Sequence, residues 1–186
     1  MIKGGQTLSA IKGILYNTDL NTLLVFNKSI KCRFLDRVMP YLTNLGSATA
    51  TIFICLLLIG GGEGMVRKTG CQAMGALAIS HLMVRLLKNC VCRLRPKDVL
   101  QNINTFDLAL DYYSFPSGHT TAVFSIATTL ALNFPVLSVI CFPIAFIVAV
   151  SRLYLGVHYP SDVLAGVAVA VFTSVVLQFI MTSVII

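Results

Sequence analysis

At 186 residues the chain has the length of one domain, and 56% hydrophobic against 11% charged residues excludes an ordinary soluble composition. A formal charge of +7 would suggest nucleic acid in a soluble protein, but here the basic residues cluster at the ends of apolar runs. That placement argues against a nucleic-acid partner and for anionic lipid headgroups or a phosphorylated substrate.

Apolar runs cover residues 38–60, 71–87, 118–134, 136–150 and 163–186. A helix needs roughly 20 residues to cross about 30 Å of hydrocarbon. The expected fold is all-α, a polytopic transmembrane helix bundle with five clear spans in a single domain over residues 1–186. Ahead of the spans, residues 6–16 and 19–30 are apolar but broken by Lys12, Asn17, Asp19, Asn21, Asn27 and Lys28. Residues 1–37 therefore form either interfacial helices or a weak sixth crossing. The first residues show no compact apolar core with a cleavage site, so no removed signal peptide is expected.

The first span ends in Gly60-Gly-Gly-Glu-Gly64, a turn-rich loop expected to continue through Arg67 and Lys68. The second carries His81, Arg85 and Lys88 at i, i+4 and i+7, which puts them on one helical face. Ionisable residues inside a membrane helix usually face the bundle interior or an aqueous cavity. A structural hydrogen bond is expected for His81. For Lys88 and Arg85, near the helix end and with Arg85 about one turn deeper, function and snorkelling compete.

Residues 89–115 are the longest polar segment, with Arg93, Arg95, Lys97, Asp98, Asp107 and Asp111, then Tyr112, Tyr113 and Phe115 at an expected membrane interface. Arg95 precedes Pro96 and should be extended, so the second span stops before it. Cys90-Val-Cys92 has neither a zinc nor a redox spacing, although a link from Cys32 to that pair is conceivable.

Pro116-Ser-Gly-His119 opens the third span. Ser117 suits the N-cap, Gly118 allows a ligand close to the backbone, and the free amides of a helix start attract anions. Residues 133–135 turn into the fourth span, which delivers Ser151 and Arg152. Pro160 suits the first turn of the fifth, placing Asp162 in that turn and His158 just before it. Asp162 can reach back to the imidazole and hold one tautomer, leaving the other nitrogen free to attack. Gly166 and Ala170 allow close helix packing further along.

Counting crossings brings Lys88, residues 117–119 and residues 151–162 to the same side of the membrane. Lys88, Arg95 and Arg152 supply three permanent cations, Ser117 and Gly118 supply amides, and His119 and His158 can carry protons near neutral pH. This inventory suits phosphoryl transfer, where positioning and charge neutralisation carry most of the catalysis. Around Asp162 there is no ligand-like spacing of carboxylates, so neither a metal nor a cofactor is called for.

Lys88-x6-Arg95-Pro96, Pro116-Ser-Gly-His119 and Ser151-Arg152-x5-His158-x3-Asp162 together resemble the three-part signature of the type 2 phosphatidic acid phosphatase family, matching all its specified positions in order over residues 88–166. The resemblance implies a membrane lipid phosphatase, with undecaprenyl diphosphate favoured over phosphatidylglycerophosphate or phosphatidic acid. It implies His158 as the nucleophile forming a phosphohistidine, Asp162 orienting it, and His119 protonating the leaving group and then helping to activate water. Lys88, Arg95, Ser117, Gly118 and Arg152 would bind the phosphoryl oxygens, and with a diphosphate substrate Arg85 is a candidate to receive the second phosphate. The family usually has six crossings.

The partners expected are a lipid phosphate substrate and the membrane lipids, and the oligomeric state is left open. Lys28, Lys31, Arg33, Arg37, Arg93 and Lys97 fall on the active-site side, against Arg67 and Lys68 opposite, so the positive-inside rule turns the site to the cytoplasm. Bacterial members of the family imply the extracytoplasmic face, and a basic substrate rim confounds the charge count. A lipid phosphotransferase remains an alternative. So does a non-catalytic transporter or scaffold, which the intact His119, His158 and Asp162 weigh against.

Overall fold

The computed structural model describes residues 3–106 and 111–184, with side chains over 13–106 and 111–183, so Asp107 lies outside the described residues. The described chain is helical: α1 (Lys3–Leu24, prolonged by a wider turn over Val25–Ser29), α2 (Arg33–Leu42), α3 (Ala48–Gly61), α4 (Gly64–Val91), α5 (Pro96–Val99), α6 (Gly118–Asn133), α7 (Ser138–Tyr154) and α8 (Pro160–Val184). Among the described residues three helical stretches, Gly64–Val91, Pro135–Tyr154 and Pro160–Ser183, are long and apolar enough to cross a membrane, or four if a bent pair counts as one. At 16 residues α6 falls short of that length.

That bent pair replaces the straight first span expected over residues 38–60. Arg33–Gly46 and Ala48–Gly61 meet at 52°. Continuous hydrophobicity hid the break, but its chemistry is local. A 3-10 turn over Thr43–Gly46 tightens the chain, and the Ser47 Oγ then accepts the Ala50 amide at 3.2 Å and starts a new helix. Gly46 is pressed against α6 and α7, where a Cβ would lie 2.9 Å from Val148 and 3.0 Å from His119. The loop expected from Gly60 to Lys68 is also shorter. Only Gly62 and Glu63 separate α3 from α4, and Arg67, already helical, donates from Nε to the carbonyls of Ile59 and Gly62 at 3.1 Å each, capping the end of α3.

The axis of the bundle is α6, which packs on α3, α4, α7 and α8. Its Thr120, Thr121, Ser125, Ala127, Thr128 and Thr129 are buried, and small residues of this kind let membrane helices approach closely. Hydrogen bonds hold the layers: Ser80 Oγ and Ser125 Oγ lie 3.0 Å apart, Ser174 Oγ donates to the Ser125 carbonyl at 3.2 Å, and Asn133 Nδ2 donates to Gln72 Oε1 at 2.8 Å. At Gly166 of α8 a Cβ would lie 2.8 Å from the Ser117 carbonyl, so the two helix backbones touch there.

The N-terminal helix docks at the end of the bundle where these helices begin, and α1 is not among the stretches apolar enough to cross. The Asn27 amide donates to the carbonyls of Tyr154 and Asn104 at 2.8 and 2.9 Å, and Asn104 returns two bonds to Asn27. Leu35, Met39 and Leu42 of α2 pack on Tyr154, Leu155 and Val157, fixing the loop that leads to His158. All six cysteines are free.

Candidate active site

The chain after α4 turns sharply. Cys92 adopts the left-handed conformation at φ 50°, Leu94 pairs with Tyr113, and Arg95 is extended at φ −75°, ψ 151° before Pro96 opens α5. This turn swings Arg95 inward, where it is 2% exposed. Arg152 arrives in the last turn of α7, Gly118 and His119 at the start of α6, and His158 in the loop before α8. They meet with Lys88 around a cavity of about 400 Å³. Ile52, Met74, Leu77 and Ala122 form an apolar wall of the same cavity.

Arg152 is 1% exposed, yet its Nη1 bonds only Thr43 Oγ1 at 2.6 Å. Its Nε and Nη2 are buried and have no partner among the described residues. A buried guanidinium left with free donors is costly unless an anion meets it. Arg95 donates from Nε to the Asp111 carbonyl at 2.7 Å and from Nη1 to the Val157 carbonyl at 3.0 Å. The same Nη1 lies 3.2 Å from His158 Nε2. A guanidinium only donates, so Nε2 is the acceptor and the ring proton sits on Nδ1. Burial, reinforced by the Arg152, Arg95 and Lys88 charges, holds the His158 imidazole well below its usual range. His158 is thus a neutral base with its lone pair turned to the cations.

Nδ1 of His158 lies 3.5 Å from Asp162 Oδ2, so the carboxylate is placed behind the ring as the i, i+4 spacing suggests, at the long limit of contact. The same Oδ2 accepts the Tyr159 amide at 2.9 Å, and Oδ1 accepts Arg93 Nη1 at 2.8 Å. Arg93 is the residue that sequence reasoning missed, having taken it for a rim charge. It stacks on the Tyr159 ring at 3.8 Å and pairs at 2.8 Å with Asp19, which the sequence offered only as a break in an apolar stretch.

Other expected residues are placed differently. Ser117 is at the N-cap position of α6, but its amide donates to the Asp162 carbonyl at 3.0 Å and its Oγ accepts Thr120 Oγ1 at 3.0 Å. Its amide is therefore spent inside the protein, and Gly118 and His119 are the residues of the helix start that line the cavity. Arg85 is exposed and does not line the cavity, whereas His81 does. At 3.6 residues per turn Arg85 is rotated about 60° from Lys88 and His81 only about 20°, which accounts for the exchange. Among the described residues no hydrogen bond anchors His81. Lys88 Nζ pairs at 2.7 Å with Asp111, a partner unseen in the sequence, and that bond holds the Asp111 carboxyl below its usual range. Among the described residues no three His, Cys, Asp or Glu side chains are grouped to hold a metal ion.

The sequence model of the PAP2 superfamily matches residues 69–184. The chain belongs to the PAP2 superfamily. It is 33% identical over 150 residues to phosphatidylglycerophosphatase B of Bacillus subtilis, an alignment covering 74% of this chain and 70% of the relative. With an undecaprenyl-diphosphatase of Sulfolobus acidocaldarius it shares 30% identity over 159 residues, covering 83% and 73%. A lipid A 1-phosphatase of Rhizobium etli is 30% identical over 146 residues, and there the chain covers 63% of the relative's length. The crystal structure of LpxE from Aquifex aeolicus superposes with a TM-score of 0.76 at 26% identity, covering 86% of this chain and 93% of that one. These likenesses place the PAP2 chain among membrane lipid phosphatases.

Proposed function

We propose that this chain hydrolyses a phosphomonoester or diphosphate on a lipid carrier, undecaprenyl diphosphate foremost, through a phosphohistidine at His158. The observation that carries this reading is the buried, half-partnered guanidinium of Arg152, which faces the neutral His158 in the cavity. A phosphoryl group would take the free Arg152 donors, the Lys88 ammonium and the Gly118 backbone. It would also draw Arg95 Nη1 away from His158 Nε2, releasing the lone pair that attacks. The P–N bond forms as the P–O bond to the leaving group breaks, and His119 delivers a proton to the departing oxygen. Positive charge then developing on the imidazole is met by Asp162. Water, deprotonated by His119, attacks phosphorus in the second half, breaking the P–N bond and releasing inorganic phosphate. The apolar wall of Ile52, Met74, Leu77 and Ala122 suits the lipid next to the headgroup.

The reading includes α6 as a further crossing, shielded by its neighbours, and the active site on the extracytoplasmic face. Arg93 supports that sidedness, because a cation fixed on Asp19 and Asp162 is structural and weakens the charge count toward the cytoplasm. Phosphate release by the purified protein in detergent tests the function, with undecaprenyl diphosphate, phosphatidylglycerophosphate and phosphatidic acid supplied without any acceptor. Release from at least one, acid-labile label on the wild type and neither with His158→Ala are expected. No release from any, or label persisting in the variant, overturns the proposal.

A further inference from the structure

We propose that Asp19 on the N-terminal helix and Arg93 after α4 form a clamp that positions Asp162, and through it His158, for phosphoryl transfer. This rests on His158 being the nucleophile. Neither clamp residue lines the cavity. Arg93 instead reaches the rear of the site, where Nη1 donates to Asp162 Oδ1 at 2.8 Å and to Ser161 Oγ at 2.6 Å, while Nη2 donates to Asp19 Oδ2 at 2.8 Å. Its guanidinium plane rests on Tyr159, so one side chain touches three of the four residues that follow His158. Asp19 grips the same turn from the other side. Its Oδ1 accepts the Ser161 amide at 2.9 Å and its Oδ2 accepts the Ser161 hydroxyl, at the positive end of α8.

Both geometry and charge argue for a role in the reaction. Asp162 is fully buried and lies 3.5 Å from Nδ1, so small rotations of its carboxylate decide whether it meets the imidazole when positive charge develops. Arg93 fixes that rotation by holding Oδ1. On its own Arg93 would also cancel the Asp162 charge and leave nothing for the imidazole. Asp19 answers this: one guanidinium between two carboxylates leaves the group with a net negative charge to offer. The N-terminal helix, none of whose described side chains lines the cavity, is thereby built into the reaction.

The full-length enzyme in detergent tests the clamp on the lipid phosphate it hydrolyses fastest. Asp19→Asn and Arg93→Met should each lower kcat roughly 10- to 100-fold with KM changed less than about threefold, since the phosphate-binding cations are untouched. The double variant should lose no more than the worse single, because the residues act as one unit. Inhibition by vanadate should keep its affinity in all three, and Asp19→Glu should recover part of the rate. Should Asp19→Asn accumulate poorly, Ser161→Ala removes one hydroxyl of the same network and should show a smaller loss with the same split. Wild-type kcat in Asp19→Asn, additive losses, or vanadate affinity falling in step with kcat would each overturn the clamp. A wild type that releases no phosphate overturns the function, and the clamp falls with it.

Discussion

The two faces of His158 are built on opposite principles. On the cavity side stand Arg152, Arg95, Lys88 and His119, a cluster of cations and proton carriers with donors left over. On the far side Asp162, Arg93, Asp19 and Ser161 answer one another with short bonds, and every carboxylate has a cation against it. The front is incomplete in a way that a phosphoryl group would complete. The rear is closed and fixes where the Asp162 carboxylate sits, 3.5 Å from the ring. One face stores binding capacity at a cost in stability, and the other supplies stiffness.

The largest effect should come from breaking the front. Arg152→Met removes two free donors, so kcat/KM should fall about 10²- to 10⁴-fold. Thermal unfolding in detergent should move upward, since an uncompensated buried charge has gone. A lower melting temperature would show that Arg152 is structural.

The front was legible in the sequence because helix starts and ends carry it. Pro96, Pro116 and Pro160 mark where helices begin, and the sequence alone thereby sets Arg95, His119 and His158 on one side. The rear was not. Asp19 and Arg93 are 74 residues apart in the chain and meet only through docking of α1. Nor does anything in the spacing of Ser117 reveal that its amide is taken by the Asp162 carbonyl. Likewise the bend before Ser47 is written in a single capping side chain within an apolar run, where hydropathy alone is blind.

A smaller effect tests where the front ends. His81→Ala should lose about tenfold in kcat/KM on a diphosphate and less on a monophosphate, because His81 lines the cavity beyond Lys88. Arg85→Met, facing away, should stay within about twofold on both. The reverse ranking would restore Arg85 as the second-phosphate residue. Asp111→Ala frees Lys88 from a carboxylate that would compete with a phosphate for the ammonium, so KM should fall severalfold, as steady-state kinetics would reveal.

The smallest effect is on stability against pH. His158 is held neutral when folded but takes up a proton near its ordinary 6.5 once unfolded, so the unfolded state binds more protons as pH falls below that value. Its contribution is present above about pH 6.5 and declines below. The melting temperature of the wild type should therefore drop more steeply from about pH 7 to about pH 5 than that of His158→Asn. Parallel curves would mean that the ring is not held neutral.

At Gly166 the spacing of the whole centre is set by a missing carbon atom. A methyl group there would meet the Ser117 carbonyl at 2.8 Å and Thr121 Oγ1 at 3.0 Å. Beside that contact the Ser117 amide is bonded to the Asp162 carbonyl; His119 lies in the first turn of one of the helices so joined, and His158 two residues ahead of the other. The separation of the proposed leaving-group acid, His119, from the proposed nucleophile, His158, is thus a backbone dimension. Side-chain drift elsewhere in the bundle can leave it untouched, and Gly166→Ala would lengthen it without altering a single polar group.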